Sequence, residues 1–287
     1  MWTQIAQQIS DTTATNFQID NYRSVSGGCI NQGYALVGNG NTYFVKLNQA
    51  ERAEMFCSEA LSLQQMLATH TIRVPKPICW GVADSSSYIV MEWLDFGRGT
   101  TESWAEMGRK LASLHRVQGA SRFGWDQDNT IGSTPQINTW TDSWADFFAE
   151  HRIGYQLRLA QRRGGNFPEF GEAITAVQAC LARRNPQPSL VHGDLWSGNA
   201  AVTESGEPII LDPATYWGDR EVDIAMTELF GGFPAAFYRG YSNQWPLDEG
   251  YQQRKTVYNL YHILNHFNLF GGGYGAQANR MMRQIMK

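Results

Sequence analysis

Two short apolar segments that each run into an aspartate constrain the fold of this 287-residue chain more than any other feature. The first leads into residues 191–199 (VHGDLWSGN), and the second is residues 209–214 (IILDPA). Short apolar runs bounded by turn residues are typical of buried β-strands. Residues 204–207 (ESGE) lie between them and indicate a hairpin turn, which would bring Asp212 back alongside Asn199.

Asp194, Asn199 and Asp212 offer the chemical groups that phosphoryl transfer requires. A carboxylate next to a substrate hydroxyl can accept its proton, and amide and carboxylate oxygens are ligands that Mg²⁺ accepts. Such reactions are catalysed mainly by positioning and by neutralising charge. Each acid alone is more often a turn-capping residue. The ordered set instead predicts a phosphotransferase site, with Asp194 as the base and with Asn199 and Asp212 holding Mg²⁺.

The first part of the chain contains groups suited to binding phosphate. Lys46 lies inside the apolar run 43–47 (YFVKL), and Glu59 follows on a predicted helix from which it can pair with Lys46. A glycine-rich turn, residues 26–33 (SGGCINQG), precedes a strand and has amides that can cover phosphates. This turn matches neither the GxGxxG nor the Walker A pattern. Its nucleotide-binding candidates are Gly27, Gly28, Cys29, Ile30 and Asn31.

The order of the predicted elements divides the chain into a β-rich part and a helical part. Apolar runs predict strands at residues 34–37, 42–47, 78–82 and 88–94. Helical spacing predicts helices at residues 50–67, 104–117, 140–162 and 177–184. We therefore predict an α+β fold with two domains, residues 1–95 and residues 96–287.

Composition and charge exclude several other classes of protein. The chain has 23 Lys and Arg against 27 Asp and Glu, a net charge of −4, and no basic run that would favour nucleic acid. No apolar stretch approaches the roughly 20 residues of a membrane span. The four scattered cysteines form no C-x-x-C pair, which argues against a disulfide scaffold and a structural zinc site. We expect a cytoplasmic protein without a nucleic-acid or membrane partner.

Taken together, these stretches resemble the protein-kinase-like fold over almost the whole chain. The sequence has His-Gly-Asp at residues 192–194 where protein kinases have His-Arg-Asp, and Asp-Pro-Ala at residues 212–214 where they have Asp-Phe-Gly. No Ala-Pro-Glu follows, so the resemblance is to the small-molecule branch that includes aminoglycoside and choline kinases. Residues 123–136 (FGWDQDNTIGSTPQ) and 264–275 (LNHFNLFGGGYG) are the specific matches. They are similar to the fructosamine kinase (ketosamine-3-kinase) family.

The family resemblance implies a two-lobe enzyme with a β-rich N-lobe and a mainly helical C-lobe. It implies ATP-dependent phosphorylation of O3 of a ketoamine, the sugar adduct formed when an amine is glycated, as a step in deglycation repair. ATP and Mg²⁺ are the implied cofactors. The implied substrate is a small ketoamine or a glycated protein.

The resemblance also implies roles for individual residues. Lys46, paired with Glu59, would contact the α- and β-phosphates of ATP. The backbone of Glu92, Trp93 and Leu94 would bind adenine, with Met91 at the border of the pocket. Trp196, Trp217 and His266 are candidates for the substrate pocket, although core packing remains an alternative for Trp217 and His266.

Cys29 is a candidate redox-sensitive residue. Amides that point at phosphate also stabilise a thiolate, and an exposed thiolate is readily oxidised. The family resemblance adds that a cysteine in this loop has been linked to redox-sensitive dimers. We expect a monomer or a redox-dependent homodimer through Cys29, and the alternative is a small side chain that fills a tight turn.

Two other functions remain open from the sequence. The chain could phosphorylate another small hydroxylated amine, as aminoglycoside and choline kinases do. It could also be a non-catalytic kinase-like binding module. The expected catalytic positions all carry competent residues, which argues against the second alternative.

Overall fold

The computed structural model describes residues 1–25 and 30–287, and these form two compact units. The first unit is Met1–Gly99 together with Ala201–Asp212, and the second is Thr100–Ala200 together with Pro213–Lys287. The predicted boundary at residue 95 places residues 201–212 in the second domain. They belong to the first unit because the backbone of this segment forms β-bridges from Ile209 to Arg73 and from Thr203 to Phe96.

An antiparallel sheet of five strands, in the order β1-β2-β3-β5-β4, is the centre of the first unit. The β2–β3 hairpin has the two-residue turn Asn39-Gly40, and both residues adopt the positive φ that a type I′ turn requires. The polar residues 38–41 (GNGN) between these two strands are typical of such a hairpin. The strands are β1 (Asn21–Val25), β2 (Gln32–Gly38), β3 (Asn41–Gln49), β4 (Pro77–Ala83) and β5 (Ser86–Glu92).

Two helices pack on this sheet. Helix α2 (Ala53–Ala68) follows a short 3₁₀ turn at Ala50–Arg52, close to the predicted helix at 50–67. Helix α1 (Trp2–Thr13), which the sequence analysis did not predict, buries Ile5 and Ile9 completely in the core of the sheet. The i, i+4 spacing of these two isoleucines places them on one helix face.

Strands β9 (Ala200–Val202) and β10 (Pro208–Ile210) form the predicted second hairpin. The hydroxyl of Thr203 accepts a hydrogen bond from the Glu207 amide at 3.1 Å, which fixes the turn between the strands. The hairpin ends at Asp212, so that this carboxylate belongs to the first unit.

The second unit is mainly helical. The predicted helix at 140–162 begins later, at Trp144, because the Ser143 side chain caps it by accepting the Asp146 amide. No helix in the described part of the chain is long and apolar enough to cross a membrane. The helices are α3 (Thr101–His115), α4 (Trp144–Phe147), a π-helical turn (Phe148–Gly154), α5 (Tyr155–Arg162), α6 (Phe170–Leu181), α7 (Glu221–Leu229), α8 (Ala235–Gln244), α9 (Tyr251–Phe270) and α10 (Tyr274–Ile285).

Two small sheets complete the second unit. Strand β6 (Asn129–Ile131) pairs with β7 (Thr134–Gln136), and β8 (Ser189–Val191) pairs with β11 (Tyr216–Gly218). Only β8 was predicted. The second sheet places the two chain segments that flank residues 192–215 side by side.

Candidate active site

Lys46, Glu59 and Asp212 meet in the first unit. The Lys46 Nζ donates to Glu59 Oε1 of α2 at 2.7 Å and also to the Asp212 carboxylate. Lys46 is buried on β3, whereas about half of the Asp212 side chain is exposed. The structure therefore places Lys46 beside Glu59, the pair that the sequence suggested, and adds Asp212, for which the sequence predicted no contact with Lys46.

The charges of these three groups depend on one another. Burial alone would lower the pKa of Lys46, but the adjacent Asp212 and Glu59 carboxylates outweigh it and hold that pKa above its ordinary value. Burial raises the pKa of Glu59, and the Lys46 ammonium opposes that rise. Lys46 is therefore a permanently charged ammonium whose orientation is fixed by Glu59.

The backbone of Asp212 has a positive φ of 54°. This left-handed conformation is uncommon for a residue with a side chain, and it costs of order 1–3 kcal/mol unless the surroundings determine it. Such backbone geometry concentrates at functional sites.

Strand β5 ends at the predicted adenine-binding segment. The Glu92 carboxylate accepts the Lys76 amide at 2.9 Å and pairs with Arg73 at 3.0 Å, while the Glu92 amide donates to the Lys76 carbonyl. Among the described residues, no hydrogen-bond partner is found for the amide of Leu94. Met91 is buried beside this segment. The Glu92 side chain thus has a structural role, and the Leu94 amide is available to a ligand.

Trp93 is held from two sides. Its indole Nε1 donates to Asp95 at 2.8 Å, and the Arg23 guanidinium lies 5.4 Å from the ring centroid. This is a cation–π contact between β1 and the end of β5.

The glycine-rich turn is described only in part. Asn48 Nδ2 donates to Asn31 Oδ1 at 2.7 Å and to the Ile30 carbonyl at 3.4 Å, which attaches the end of this turn to β3. The other candidates of the turn, Gly27, Gly28 and Cys29, lie outside the described residues.

The described cysteines are all free thiols. They are Cys57, Cys79 and Cys180. Burial raises the pKa of the Cys79 thiol to about 12, so this cysteine is inert toward oxidation. The redox role and the dimer predicted for Cys29 stay predictions.

In the second unit, Asp223 holds the loop that carries Asp194. Asp223 is completely buried on α7, and its carboxylate accepts the amides of His192 at 2.7 Å and Gly193 at 2.8 Å. His115 Nε2 lies 2.9 Å from the same carboxylate. Burial alone would raise the pKa of Asp223, but the hydrogen bonds from His115 and His192 lower it. Asp223 is therefore an ionised anchor for the loop.

The loop packs tightly against the segment that follows Asp212. Gly193 has a φ of 82°, and a Cβ on it would lie 2.1 Å from the Ala214 carbonyl oxygen. The Ala214 amide donates to the His192 carbonyl at 2.8 Å. Only glycine permits this approach and this backbone conformation.

Asn199 fixes Asp194. Its Nδ2 donates to the Asp194 carbonyl at 2.9 Å and to the Asp194 carboxylate at 3.3 Å. Because the amide nitrogen faces Asp194, the Asn199 Oδ1 is left as a ligand atom. His262 on α9 lies beside this pair, with its Nδ1 3.9 Å from Asp194 Oδ1.

Asn199 in the second unit and Asp212 in the first each carry an oxygen of the kind that Mg²⁺ accepts. An amide oxygen and a carboxylate are hard oxygen ligands, and Mg²⁺ is usually bound through one or two carboxylates together with substrate phosphates. In the described residues, no cluster of three or more His, Cys, Asp or Glu side chains could hold a metal by itself.

The three substrate-pocket candidates differ in exposure. Trp196 is 39% exposed, and its ring lies over Gly198. Trp217 is buried and packs against Gly119. His266 is half-buried, bonded to the His262 carbonyl at 2.8 Å, and surrounded by the rings of Phe230, Phe270 and Tyr274. Trp196 is free to stack on a ligand, whereas Trp217 has the environment of a core residue.

One buried polar cluster was missed by the sequence analysis. It consists of Asn129, Gln136, Asn138 and Arg152. Asn129 and Gln136 lie within the specific stretch 123–136, whereas Asn138 and Arg152 lie outside it and have no signal in the sequence.

The sequence model of the fructosamine kinase family matches residues 1–287. The chain belongs to the fructosamine kinase family. A probable ketoamine kinase from Synechocystis sp. is 64% identical over 286 residues, which are 100% of this chain and 97% of that relative. The chloroplastic protein-ribulosamine 3-kinase of Arabidopsis thaliana is 45% identical over 275 residues, 94% of this chain and 84% of that relative. The resemblance seen in the sequence is thereby confirmed.

Solved structures confirm the predicted α+β, protein-kinase-like fold. A Haemophilus somnus protein assigned as a fructosamine-3-kinase has a TM-score of 0.95 at 33% identity, covering 100% of this chain and 98% of that chain. A thermostable mutant of aminoglycoside phosphotransferase APH(4)-Ia, solved with ADP and hygromycin B, has a TM-score of 0.62 at 14% identity and covers 98% of both chains. The second similarity concerns the fold alone.

His262 is buried on α9, and its protonation state follows from the groups around it. Burial, His266 and Arg152 lower the pKa of His262 to about 3, whereas an unfolded histidine has a pKa of about 6.5. Between these values the unfolded chain binds one more proton, so the free energy of unfolding falls as the pH is lowered through this window.

We therefore predict that His262→Gln makes stability less dependent on pH. Removing this group should reduce the slope of unfolding free energy against pH by up to about 1.4 kcal/mol per pH unit between pH 5 and 6. Urea unfolding of both proteins across this range measures it. Identical slopes would show that His262 is not held neutral in the folded chain.

Proposed function

We propose that the protein is an ATP-dependent kinase that phosphorylates O3 of ketoamines. The observation that carries this proposal is the Asp194 carboxylate, fixed by Asn199 and by the Asp223-anchored loop, in a chain that matches the fructosamine kinase family throughout. The names of the relatives, ketoamine kinase and protein-ribulosamine 3-kinase, support the substrate class.

Each group has a separate task in the proposed reaction. The Asp194 carboxylate accepts the proton of the C3 hydroxyl as its oxygen attacks the γ-phosphorus of ATP. The Lys46 ammonium, oriented by Glu59, neutralises charge on the α- and β-phosphates. The Leu94 amide donates to adenine. Asn199 and Asp212 would hold Mg²⁺, which would neutralise charge on the phosphates.

The nature of the acceptor follows from the relatives. We propose ketoamines formed on small amines or on protein lysines, and the plant relatives name ribulosamines on proteins. Phosphorylation at O3 gives an unstable adduct, so the proposed biological role is deglycation repair. Trp196 is the candidate that stacks on the sugar or on its amine substituent, since its ring is exposed.

The substrate class can be tested together with the base. We predict ATP-dependent ADP release with a ribulosamine or a fructosamine and none with an aminoglycoside. Asp194→Asn should lower kcat by at least about 10²-fold and leave the Kd for ATP nearly unchanged, because general-base catalysis contributes about 10²–10⁴-fold. Asp142→Asn, at a strongly exposed acid, is the control and should retain wild-type turnover.

Three outcomes contradict this assignment. Turnover of the aminoglycoside alone would favour the other small-molecule kinases, and no turnover of any acceptor would favour a binding module. Near-normal turnover of Asp194→Asn would remove Asp194 from the mechanism.

The metal role of Asp212 has its own test. Asp212→Ala should abolish the Mg²⁺-dependent gain in ADP affinity, because it removes one of two protein ligands. Calorimetric titration with ADP, with and without Mg²⁺, measures this gain, and Asp142→Ala is the matched control. An unchanged gain in Asp212→Ala would exclude this residue as a ligand.

A further inference from the structure

Arg152 is a buried cation without an acidic partner. It lies in the π-helical turn Phe148–Gly154 with no exposed surface, and no carboxylate of the described residues lies within 4.0 Å of it. Its charge instead faces aromatic rings, with the guanidinium carbon 4.0 Å from the Tyr216 centroid and 4.6 Å from that of Phe147. A buried charge of this kind is costly unless it is hydrogen-bonded, so its partners are informative.

The Arg152 guanidinium donates to Asn138 Oδ1 at 2.7 Å and to the Ile137 carbonyl. Arginine has donors and no acceptor, so the oxygen of the Asn138 amide must face it. The Asn138 Nδ2 then points away and donates to Asn129 Oδ1 at 2.9 Å. Arg152 thereby determines the direction of the hydrogen bonds that follow.

The hydrogen bonds run in the same donor-to-acceptor direction from Asn129 and Gln136 to the backbone carbonyls of Thr215 and Ala214. Asn129 Oδ1 also accepts from Gln136 Nε2 at 2.8 Å, so the Asn129 Nδ2 donates to the Thr215 carbonyl at 2.8 Å. Gln136 Nε2 donates in addition to the Ala214 carbonyl at 3.0 Å. Two buried amides thus hold residues 214 and 215 from one side.

Residues 214 and 215 connect the functional segments of the site. The Ala214 amide donates to the His192 carbonyl, and the Ala214 carbonyl lies against Gly193. Two residues before Ala214 along the chain is Asp212, whose φ of 54° requires support from its surroundings. The amides of Asn129 and Gln136 therefore act on a segment that contacts the Asp194 loop and continues directly from Asp212.

We propose that Asn129 and Gln136 are positioning residues for phosphoryl transfer, oriented by the buried charge of Arg152. They fix the backbone of residues 214–215, and this in turn fixes the loop of Asp194, which contacts Ala214. Neither side chain contacts a reacting group. The inference rests on the proposed kinase function, because a positioning residue acts by changing the rate of turnover.

The test compares two identical substitutions at buried glutamines. Gln136→Met keeps the volume and removes the donor to Ala214. Gln156→Met is the control, because Gln156 is equally buried but bonds Asn265 and Asn268 of α9 and not residues 214–215. Asn129→Leu is a second variant, which removes the donor to Thr215.

We expect Gln136→Met to lower kcat per folded molecule by about 10–100-fold, since a shift of about 1 Å can cost 10²-fold. The KM for the ribulosamine should stay within about 3-fold of wild type. Hydrogen exchange of the Ala214 amide should accelerate at least about 10-fold without nucleotide. Gln156→Met should leave kcat per folded molecule and this exchange rate within about 3-fold of wild type.

Equal effects of Gln136→Met and Gln156→Met, or unchanged exchange at Ala214 in both Gln136→Met and Asn129→Leu, would overturn the proposal. Exchange is measured without turnover, so this result is independent of the proposed function. If the wild-type protein phosphorylates no ketoamine, the proposed function fails, and the exchange rates still decide whether these amides fix the segment.

Discussion

The site in the second unit depends on one buried carboxylate. Asp223 accepts the amides of His192 and Gly193 and lies against His115, so the loop can take one backbone path. This path brings Gly193 so close to Ala214 that no other residue fits. The carboxylate of Asp194 is then placed by the loop and by Asn199. Asp194, the proposed base, is thus held in place through a second acid, Asp223, which bonds the backbone of the loop.

Each unit buries a cation, and the two cations are stabilised in different ways. In the first unit, Lys46 is neutralised by Glu59 and Asp212, and the Asp212 side chain is half exposed. In the second unit, Arg152 has aromatic rings and neutral amides around it. A carboxylate beside Arg152 would fix the charge locally. Here the neutral amides accept from Arg152 on one side and donate on the other, so that the last of them donate to the carbonyls of Ala214 and Thr215.

The sequence predicts those parts of the fold that rest on local patterns. The Asn39-Gly40 hairpin and helix α2 follow from turn residues and apolar spacing. Strands β6, β7 and β11 are too short to show a period of two, and unlike β8 and β10, which are equally short, they precede no motif that marks them. The assignment of residues 201–212 to the first unit depends on bridges to Arg73 and Phe96, which lie more than one hundred residues away in the chain. The direction imposed by Arg152 likewise needs contacts that no local pattern contains.

Product analysis of a single reaction shows whether the protein phosphorylates O3 of a ketoamine. Incubating the protein with Mg·ATP and the ribulosamine adduct of an N-blocked lysine, and examining the product by ³¹P–¹H correlation spectroscopy, locates the transferred phosphate. We predict a phosphate on O3 of the sugar and one ADP for each phosphorylated ketoamine. Phosphate on another hydroxyl, or ADP and inorganic phosphate without any sugar phosphate, would contradict it.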